Sequence, residues 1–151
     1  MEIVIAAVGK MKSGSAEAEL VSRYVKQSRW QIKIVEVDEK RDLPKEARKK
    51  SEADLLLGAI KNTCTIVALD EHGREFTSLE FANNMKKWEE RGDIVFIIGG
   101  ADGLTDEVRA KASVVMSMGK MTMPHFLARV MLAEQIYRAR TIIDGHPYHR
   151  N

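Results

Sequence analysis

Short apolar segments alternate along the 151-residue chain with longer segments whose apolar residues recur at helical spacing. The first kind is typical of strands and the second of amphipathic helices. The pattern predicts strands at residues 1–8, 32–37, 65–69, 94–98 and 114–118. It predicts helices that begin near Ser15, Pro44, Thr77, Thr105 and Pro124. This alternation predicts an α/β fold, with one domain over residues 1–151 and an open, mainly parallel sheet between flanking helices.

Two of these strands differ in their pattern. Residues 32–37 alternate between apolar and polar side chains, which predicts a strand near an edge of the sheet. Residues 94–98 are all apolar, which predicts a strand buried on both faces. This second strand runs into Gly99-Gly100-Ala101-Asp102-Gly103, where glycines allow a sharp turn and the close approach of a ligand.

Capping residues predict where several of the helices begin or end. Ser15 is expected to cap the first helix, and Thr77 with Glu80 forms a capping box for the third. Gly92 is a suitable end for that helix. The third strand is expected to stop at residues 70–73. The buried stripe of the second helix is predicted to consist of Leu55, Leu56, Ala59 and Ile60.

The composition of the chain excludes several classes of protein. The chain has 24 basic and 22 acidic residues, a net charge of +2, and an ordinary apolar content of 44%. No apolar run approaches the roughly 20 residues of a membrane-spanning helix. The first segment resembles a buried strand more than a signal peptide, so a cytoplasmic location is expected. Cys64, the single cysteine, excludes an internal disulfide and is predicted to be a small core thiol.

The loops after three predicted strands are candidates for a binding site. Residues 69–70, 99–103 and 118–123 would emerge at one edge if the strands are parallel. The chain lacks the G-x-x-x-x-G-K-[ST] motif, and its glycine loop does not match G-x-G-x-x-G. Such loops would bind a ligand through main-chain hydrogen bonds and apolar contacts, and an adenosine-like group suits this kind of binding. A tight turn without a ligand is the alternative.

The last helix has an unusual stripe. Leu127 and Met131 lie on one face with Glu134 and Arg138, so an acid and a base continue an apolar surface. Glu134 and Arg138 are spaced to form an ion pair, with Tyr137 beside them to hydrogen-bond or stack. The pair is either an ordinary surface contact or part of a face that meets another subunit or a substrate.

The tail after this helix contains His146, His149 and Arg150. A zinc site formed by these histidines with His125 is disfavoured, because the tail lacks an ordered scaffold and a further ligand. An ordered tail that hydrogen-bonds a polar or anionic substrate is one interpretation, and a disordered polar end is the other.

Several motifs taken together resemble a known family. They are Ile5-x-Ala7-Val8-Gly9-Lys10, Phe96-Ile97-Ile98-Gly99-Gly100-x-x-Gly103-Leu104, Ser117 through His125, Arg129-Val130-x-Leu132-x-Glu134-Gln135-x-Tyr137-Arg138-Ala139, and Pro147-Tyr148-His149-Arg150. In this order they resemble the ribosomal RNA large subunit methyltransferase H family, over the whole length of the chain. The chain departs from the family at Ala101-Asp102, where proline-glutamate or serine-asparagine is usual.

The resemblance implies a SPOUT-type fold with a C-terminal trefoil knot. It implies that S-adenosylmethionine donates a methyl group to N3 of a pseudouridine in large-subunit (23S) ribosomal RNA, leaving S-adenosylhomocysteine, with no metal. The substrate is expected to be the assembled ribosome. The positions that the resemblance assigns to the cofactor are Leu69, Gly99, Met118, Gly119, Lys120, Met121, Thr122 and Met123.

The resemblance also implies a homodimer, in which the tail of one protomer completes the site of the other. The residues expected to be catalytic are Glu134, Arg138, His149 and Arg150. Those expected to contact substrate are His125, Arg129, Tyr137 and Tyr148. Two other classes were compatible with the residues alone: a nucleotide-binding regulator whose glycine loop holds a phosphate, and a non-catalytic RNA-binding module. The missing phosphate motif disfavours the first, and the methionine-rich loop at residues 118–123 disfavours the second.

Overall fold

The protein is described by a computed structural model that covers residues 1–61 and 65–150. The strands and helices follow in strict alternation: β1 (Glu2–Val8), α1 (Ala16–Gln27), β2 (Gln31–Val37), α2 (Lys45–Gly58), β3 (Thr65–Glu75), α3 (Ser78–Glu89), β4 (Ile94–Ile98), α4 (Asp106–Lys111), β5 (Val114–Ser117) and α5 (His125–Ile143). The predicted core position of Cys64 lies outside the described residues.

The strands form one sheet in the order β2-β1-β4-β3-β5, and every neighbouring pair is parallel. This confirms the predicted α/β fold and its parallel sheet. β2 pairs with β1 alone and forms an edge, as its alternating pattern predicted. β4 lies in the middle with all five residues buried, also as predicted.

Helices cover both faces of the sheet. Ile3 and Ile5 of β1 face α3 and α5, whereas Val4 and Ala6 face α2 and α4. The two cores follow from the period of two along a strand, which sends successive side chains to opposite faces. On the first face, Val21 of α1 packs against α5. Because α4 and α5 lie on opposite faces, the segment between them crosses from one side of the sheet to the other.

The predicted caps are present. The Ser15 hydroxyl accepts from the Ala18 amide (3.2 Å), and the Thr105 hydroxyl accepts from the Val108 amide (3.3 Å). Thr77 and Glu80 form the reciprocal capping box. Gly92 follows α3 with φ = +118°, a conformation that favours glycine.

The prediction that the third strand stops at Asp70 was wrong. β3 leaves its ladder with β5 after Leu69 and resumes it at Arg74, where both residues pair with Met116. Gly73 makes the return possible, because a Cβ at this position would lie 2.7 Å from the Val115 carbonyl oxygen. The excursion at residues 70–73 therefore sits over β5 and keeps β3 in the sheet as far as Glu75.

The predicted buried stripe of α2 was wrong for Leu55, which is 39% exposed. Leu56 is buried, and Ala59 and Ile60 pack against the same core, although the helix ends before them at Gly58. The residues that α2 buries beside Leu56 are Ala53 and, unexpectedly, Glu52. The helix is rotated so that a carboxylic acid occupies a core position.

Candidate active site

A cavity of about 670 Å³ opens where the chain leaves β3, β4 and β5. The three predicted loops all contribute to its wall, so the expectation that they meet at one edge is confirmed. The lining residues are Lys49, Leu69–His72, Ile98–Leu104, Arg109, Val115, Met116, Met118, Gly119, Met121–Met123, His125 and Ala128.

The glycine loop after β4 turns back tightly on itself. The Gly103 amide donates to the Gly100 carbonyl (3.0 Å), and Gly103 has φ = +79°. A Cβ on Gly99 would lie 3.0 Å from the Gly103 carbonyl and from Leu104. Larger residues at this position would therefore force the turn apart and change the floor of the cavity.

The loop at residues 118–123 forms the opposite wall. The Ser117 hydroxyl donates to the Gly119 carbonyl (2.8 Å) and accepts from the Gly119 amide (3.1 Å). Gly119 has φ = +138°, which side-chain-bearing residues rarely adopt. Further along, the Thr122 hydroxyl donates to Glu71 (3.4 Å) and links the loop to the β3 excursion. Short local contacts thus shape a loop whose Met121 side chain remains 86% exposed.

Arg109 fixes the third side of the cavity. Its guanidinium donates to Asp70 (3.0 Å) and to the Leu104 carbonyl (2.7 Å), and it also pairs with Asp106. The hydrogen bonds to Asp106 and then to Asp70 raise the pKa of the guanidinium, which keeps it charged. The sequence reasoning missed this link between α4 and β3, because nothing local marks a contact between residues 39 positions apart.

The residues that the resemblance assigned to the cofactor mostly line this cavity. Lys120 is exposed and is not among the lining residues. The seven that do line it are Leu69, Gly99, Met118, Gly119, Met121, Thr122 and Met123.

His125 lines the same cavity at the start of α5. Burial, and then the positive charge of Arg129, lowers the pKa of its imidazole. The ring is therefore neutral near pH 7 and can donate or accept a hydrogen bond. This places His125 within reach of a ligand in the cavity.

Arg129, another residue expected to contact substrate, is buried and does not line the cavity. Arg129 is 1% exposed and forms an ion pair with Glu36, and its guanidinium also donates to the Val8 (3.3 Å) and Gly9 (2.9 Å) carbonyls. The ring of Phe126 lies 5.3 Å from the guanidinium carbon. These contacts join α5 to the ends of β1 and β2, so Arg129 has a structural role.

The predicted catalytic residues of α5 and the tail meet at a separate place. Arg138 donates to Glu134 (2.8 Å) and contacts His149 Nδ1 (3.0 Å). The Tyr148 hydroxyl donates to the same Glu134 oxygen (3.2 Å), and its ring lies under the Arg138 guanidinium (4.8 Å). We call Glu134, Arg138, Tyr148 and His149 the tail cluster. Its contacts hold the tail in an ordered conformation against α5.

Aromatic rings extend the tail cluster towards α1. Tyr137 packs edge-to-face on Tyr148 with ring centres 4.7 Å apart, and the ring centre of Tyr24 lies 5.9 Å from that of Tyr137. Burial, and then the negative charge of Glu134, raises the pKa of Tyr148 to about 12. Tyr148 is therefore a neutral hydrogen-bond donor at physiological pH. Arg150 is exposed at the end of the described chain.

The cavity and the tail cluster are separate within one chain. None of the tail-cluster residues lines the cavity. The α5 residue nearest the cluster that does line it is Ala128, and Glu134, the first residue of the cluster, follows six positions later, about 9 Å along the helix axis. One chain by itself therefore does not bring the predicted catalytic residues to the predicted cofactor position.

Comparisons with known proteins support the family resemblance of this chain. Residues 1–149 match the family model described as predicted SPOUT methyltransferase. A protein from Paramagnetospirillum magneticum, named ribosomal RNA large subunit methyltransferase H, is 45% identical over 152 residues, covering 99% of each chain. A protein of the same name from Rhodospirillum centenum is also 45% identical, with the same coverage. The chain belongs to the ribosomal RNA large subunit methyltransferase H family.

Membership of the SPOUT methyltransferases confirms the resemblance and makes the chain a methyltransferase. Solved structures share its fold at low identity. A methylase family protein from Haemophilus influenzae superposes with a TM-score of 0.58 at 15% identity, covering 99% of this chain and 70% of its own. A methyltransferase from Legionella pneumophila, solved with bound S-adenosylmethionine, gives 0.50 at 12% identity, with coverages of 92% and 66%.

Two further observations concern the described part of the chain. Residues 1–61 and 65–150 contain no cluster of three or more His, Cys, Asp or Glu side chains placed to hold a metal ion. Nor does any helix within these ranges have the length and apolar character needed to cross a membrane.

Proposed function

We propose that this methyltransferase moves a methyl group from S-adenosylmethionine to N3 of a pseudouridine in large-subunit ribosomal RNA, acting on assembled ribosomes in the cytoplasm as a homodimer. The observation that carries the proposal is the cavity built by three loops at one edge of the parallel sheet. The names of the relatives support the ribosomal RNA substrate. The specific base and the ribosomal particle come from the family resemblance.

The cavity fits a cofactor of this kind. Its volume of about 670 Å³ falls in the usual range for small-molecule sites. Leu69, Ile98 and Met116 supply apolar surface for a base, and the glycine loop supplies bare backbone. When bound, S-adenosylmethionine supplies a methyl group activated by its sulfonium, so the chemistry needs no metal. The residues that would hold it are Leu69, Gly99, Met118, Gly119 and residues 121–123.

The separation of the cavity from the tail cluster supports a composite site. In a homodimer the tail cluster of one protomer would face the cavity of its partner. Leu127 and Met131 of α5 are 45% and 41% exposed and lie on the same helix as Glu134 and Arg138. An apolar strip beside functional polar residues is a suitable surface for a second copy of the chain.

The residues of the tail cluster suit the transfer to N3. The imide nitrogen must lose a proton before it is a good nucleophile, and an anion develops as it does so. Arg138, held by Glu134, carries a fixed positive charge that would stabilise this anion. His149, in contact with Arg138, and Arg150 would contact the base or the RNA phosphates. Tyr137 and Tyr148 would position the base by stacking and hydrogen bonding.

The trefoil knot of the family is part of this proposal, as is the assignment of residues 1–151 to one domain. The knot comes from the family resemblance, in which the loop at residues 118–123 holds the cofactor within the knot. A knotted segment would hold this loop rigid, so that the cofactor meets a preformed wall.

Titration calorimetry with S-adenosylmethionine tests the cofactor directly. We expect binding by the purified protein, and the absence of binding would refute the proposed function. Methyl transfer should then be compared on free ribosomal RNA, isolated large subunits and assembled ribosomes. Transfer to free RNA at the same rate would refute the ribosomal substrate.

The variant His149→Ala tests the tail. We expect it to bind S-adenosylmethionine like the parent protein but to lose methyl transfer, because His149 does not line the cavity. His149→Asn keeps a polar partner for Arg138 and therefore tests whether that contact is enough for transfer. Unchanged transfer by both variants would remove the tail from the mechanism.

A further inference from the structure

Glu52 occupies a position that the proposed mechanism does not explain. It lies on the face of α2 that packs against the sheet, beside Ala53 and Leu56, and is 8% exposed. Its Oε1 atom has no hydrogen-bond partner among the described residues. A buried polar atom without a partner is costly and therefore calls for an explanation.

The carboxyl group of Glu52 lies directly behind the glycine loop. A Cβ added to Gly100 would lie 3.2 Å from both Glu52 oxygens and 3.0 Å from Val8 Cγ1. Gly100 therefore fits into a niche made by these two side chains. Its other side belongs to the cavity wall, and its carbonyl closes the turn by accepting from Gly103.

Mostly negative charges surround this carboxyl group. Asp102 approaches from the loop itself, and Asp38 and Glu39 approach from the segment after β2. Arg48, one turn earlier on α2, is the positive group that opposes them. Burial, and then the charge of Asp102, raises the pKa of Glu52 above its ordinary value. Both effects favour the protonated form of the carboxyl group.

We propose that Glu52 is a positioning residue for the cofactor: its buried carboxyl group supports Gly100 and keeps the glycine loop in the conformation that lines the cavity. The inference rests on the proposed function, because it takes S-adenosylmethionine as the ligand of the cavity. Glu52 acts through the loop and does not itself line the cavity.

Ionisation of Glu52 would oppose this role. A charged carboxylate in the niche would be poorly solvated and would repel Asp102, which lies on the loop that Glu52 supports. The loop would move away from α2, and the cavity wall would lose its shape. Affinity for the cofactor should therefore be highest while Glu52 is protonated, and should fall as the pH rises through the raised pKa.

The test is calorimetric titration of the full chain with S-adenosylmethionine between about pH 5 and about pH 9, a range that includes the pKa values of buried glutamic acids. For the parent protein we expect the dissociation constant to rise about tenfold across the range, equivalent to one pKa unit of coupling. Glu52→Gln has the same shape and no charge to lose, so this rise should disappear. Any pH dependence of the affinity that arises from His125 is the same in the parent protein and in Glu52→Gln, so the difference between the two profiles excludes it.

Asp54→Asn is the matched control, because it makes the same change on an exposed face of the same helix. It should follow the parent profile. Asp102→Asn gives an independent reading: removing the neighbouring charge lowers the pKa of Glu52, so the midpoint of the affinity change should move to lower pH. This reading does not depend on whether Glu52→Gln folds.

Distinct outcomes separate this inference from the proposed function. If the parent protein does not bind S-adenosylmethionine at any pH, the proposed function fails. If it binds, and Glu52→Gln keeps the parent pH profile or Asp102→Asn leaves the midpoint unchanged, the role of Glu52 is refuted. Affinity that rises with pH in the parent protein and not in Glu52→Gln would refute it as well.

Discussion

Replacing Arg129 with methionine should destabilise the protein without any need for a substrate. The change keeps much of the side-chain volume but removes the ion pair with Glu36 and the hydrogen bonds to the Val8 and Gly9 carbonyls. A buried carbonyl that loses its donor costs about 1–3 kcal/mol. Glu36 keeps access to water, with 30% of its side chain exposed, so its unpaired carboxylate adds little to the loss of stability. We expect a loss of about 2–4 kcal/mol in the free energy of unfolding.

The variant Glu36→Gln should cost at least as much, although Glu36 is the more exposed partner. It leaves the Arg129 cation, which is 1% exposed, without an anion. Breaking a buried pair in this way typically costs about 3–5 kcal/mol. The two variants differ in cost because the two partners differ in burial. Water can solvate the Glu36 carboxylate when Arg129 is lost, but it cannot solvate the Arg129 guanidinium when Glu36 is lost.

The pair also makes stability depend on pH. Burial alone would raise the pKa of Glu36, but the Met11 amide and Arg129 together lower it. A lowered pKa contributes stability at pH values above the ordinary value of the carboxyl group, and this stability is lost as the pH falls through the folded-state pKa. In Arg129→Met this acid-dependent loss should be smaller.

Urea denaturation followed by circular dichroism measures these changes, and thermal unfolding should shift by about 2–4 °C for each kcal/mol. Arg91→Met, at an exposed position, is the control and should stay within about 0.5 kcal/mol of the parent protein. If Arg129→Met loses less than about 1 kcal/mol while methyl transfer falls sharply, the structural role is refuted and the substrate contact expected from the sequence is restored.

Two further variants probe the β3 excursion and the tail. Gly73→Ala should destabilise the protein by about 1–3 kcal/mol, because its Cβ would lie 2.7 Å from the Val115 carbonyl oxygen. Gly58→Ala, with open space around it, is the matched control, and equal unfolding midpoints for the two variants would contradict the crowding. In a spectrophotometric titration, one of the three tyrosines should ionise near pH 12, and Tyr148→Phe should remove this step. The same variant loses the hydrogen bond to Glu134, so transfer should fall about fivefold with cofactor binding unchanged. Ionisation of all three tyrosines near their ordinary pKa would contradict the burial of Tyr148.

Local patterns in the sequence were enough to predict the layers of this fold. Residues 94–98 are apolar on both faces, which can be satisfied only in the middle of a covered sheet. Thr77 and Glu80 satisfy each other's backbone amides over three residues, so their capping box depends on nothing distant. The glycine loop follows from the same local logic. The family motifs then predicted seven of the residues that line the cavity.

Other features were decided by contacts between distant parts of the chain. Arg129 appeared available for RNA until the packing of α5 placed it against Glu36, 93 positions away. The rotation of α2 against the sheet buries Glu52 behind Gly100, and no local pattern marks this contact. The β3 excursion depends on how closely β5 passes Gly73.

The sequence by itself determined which elements form and where most of them begin, because hydrogen bonding and capping within an element involve near neighbours. Only the tertiary structure decided which charged groups are buried and which residues share a site. Burial depends on the surfaces that two elements present to each other, and a short window of sequence carries no information about the opposing surface. For this reason the cavity was predicted well from its loops, whereas its separation from the tail cluster along α5 emerged only from the folded chain.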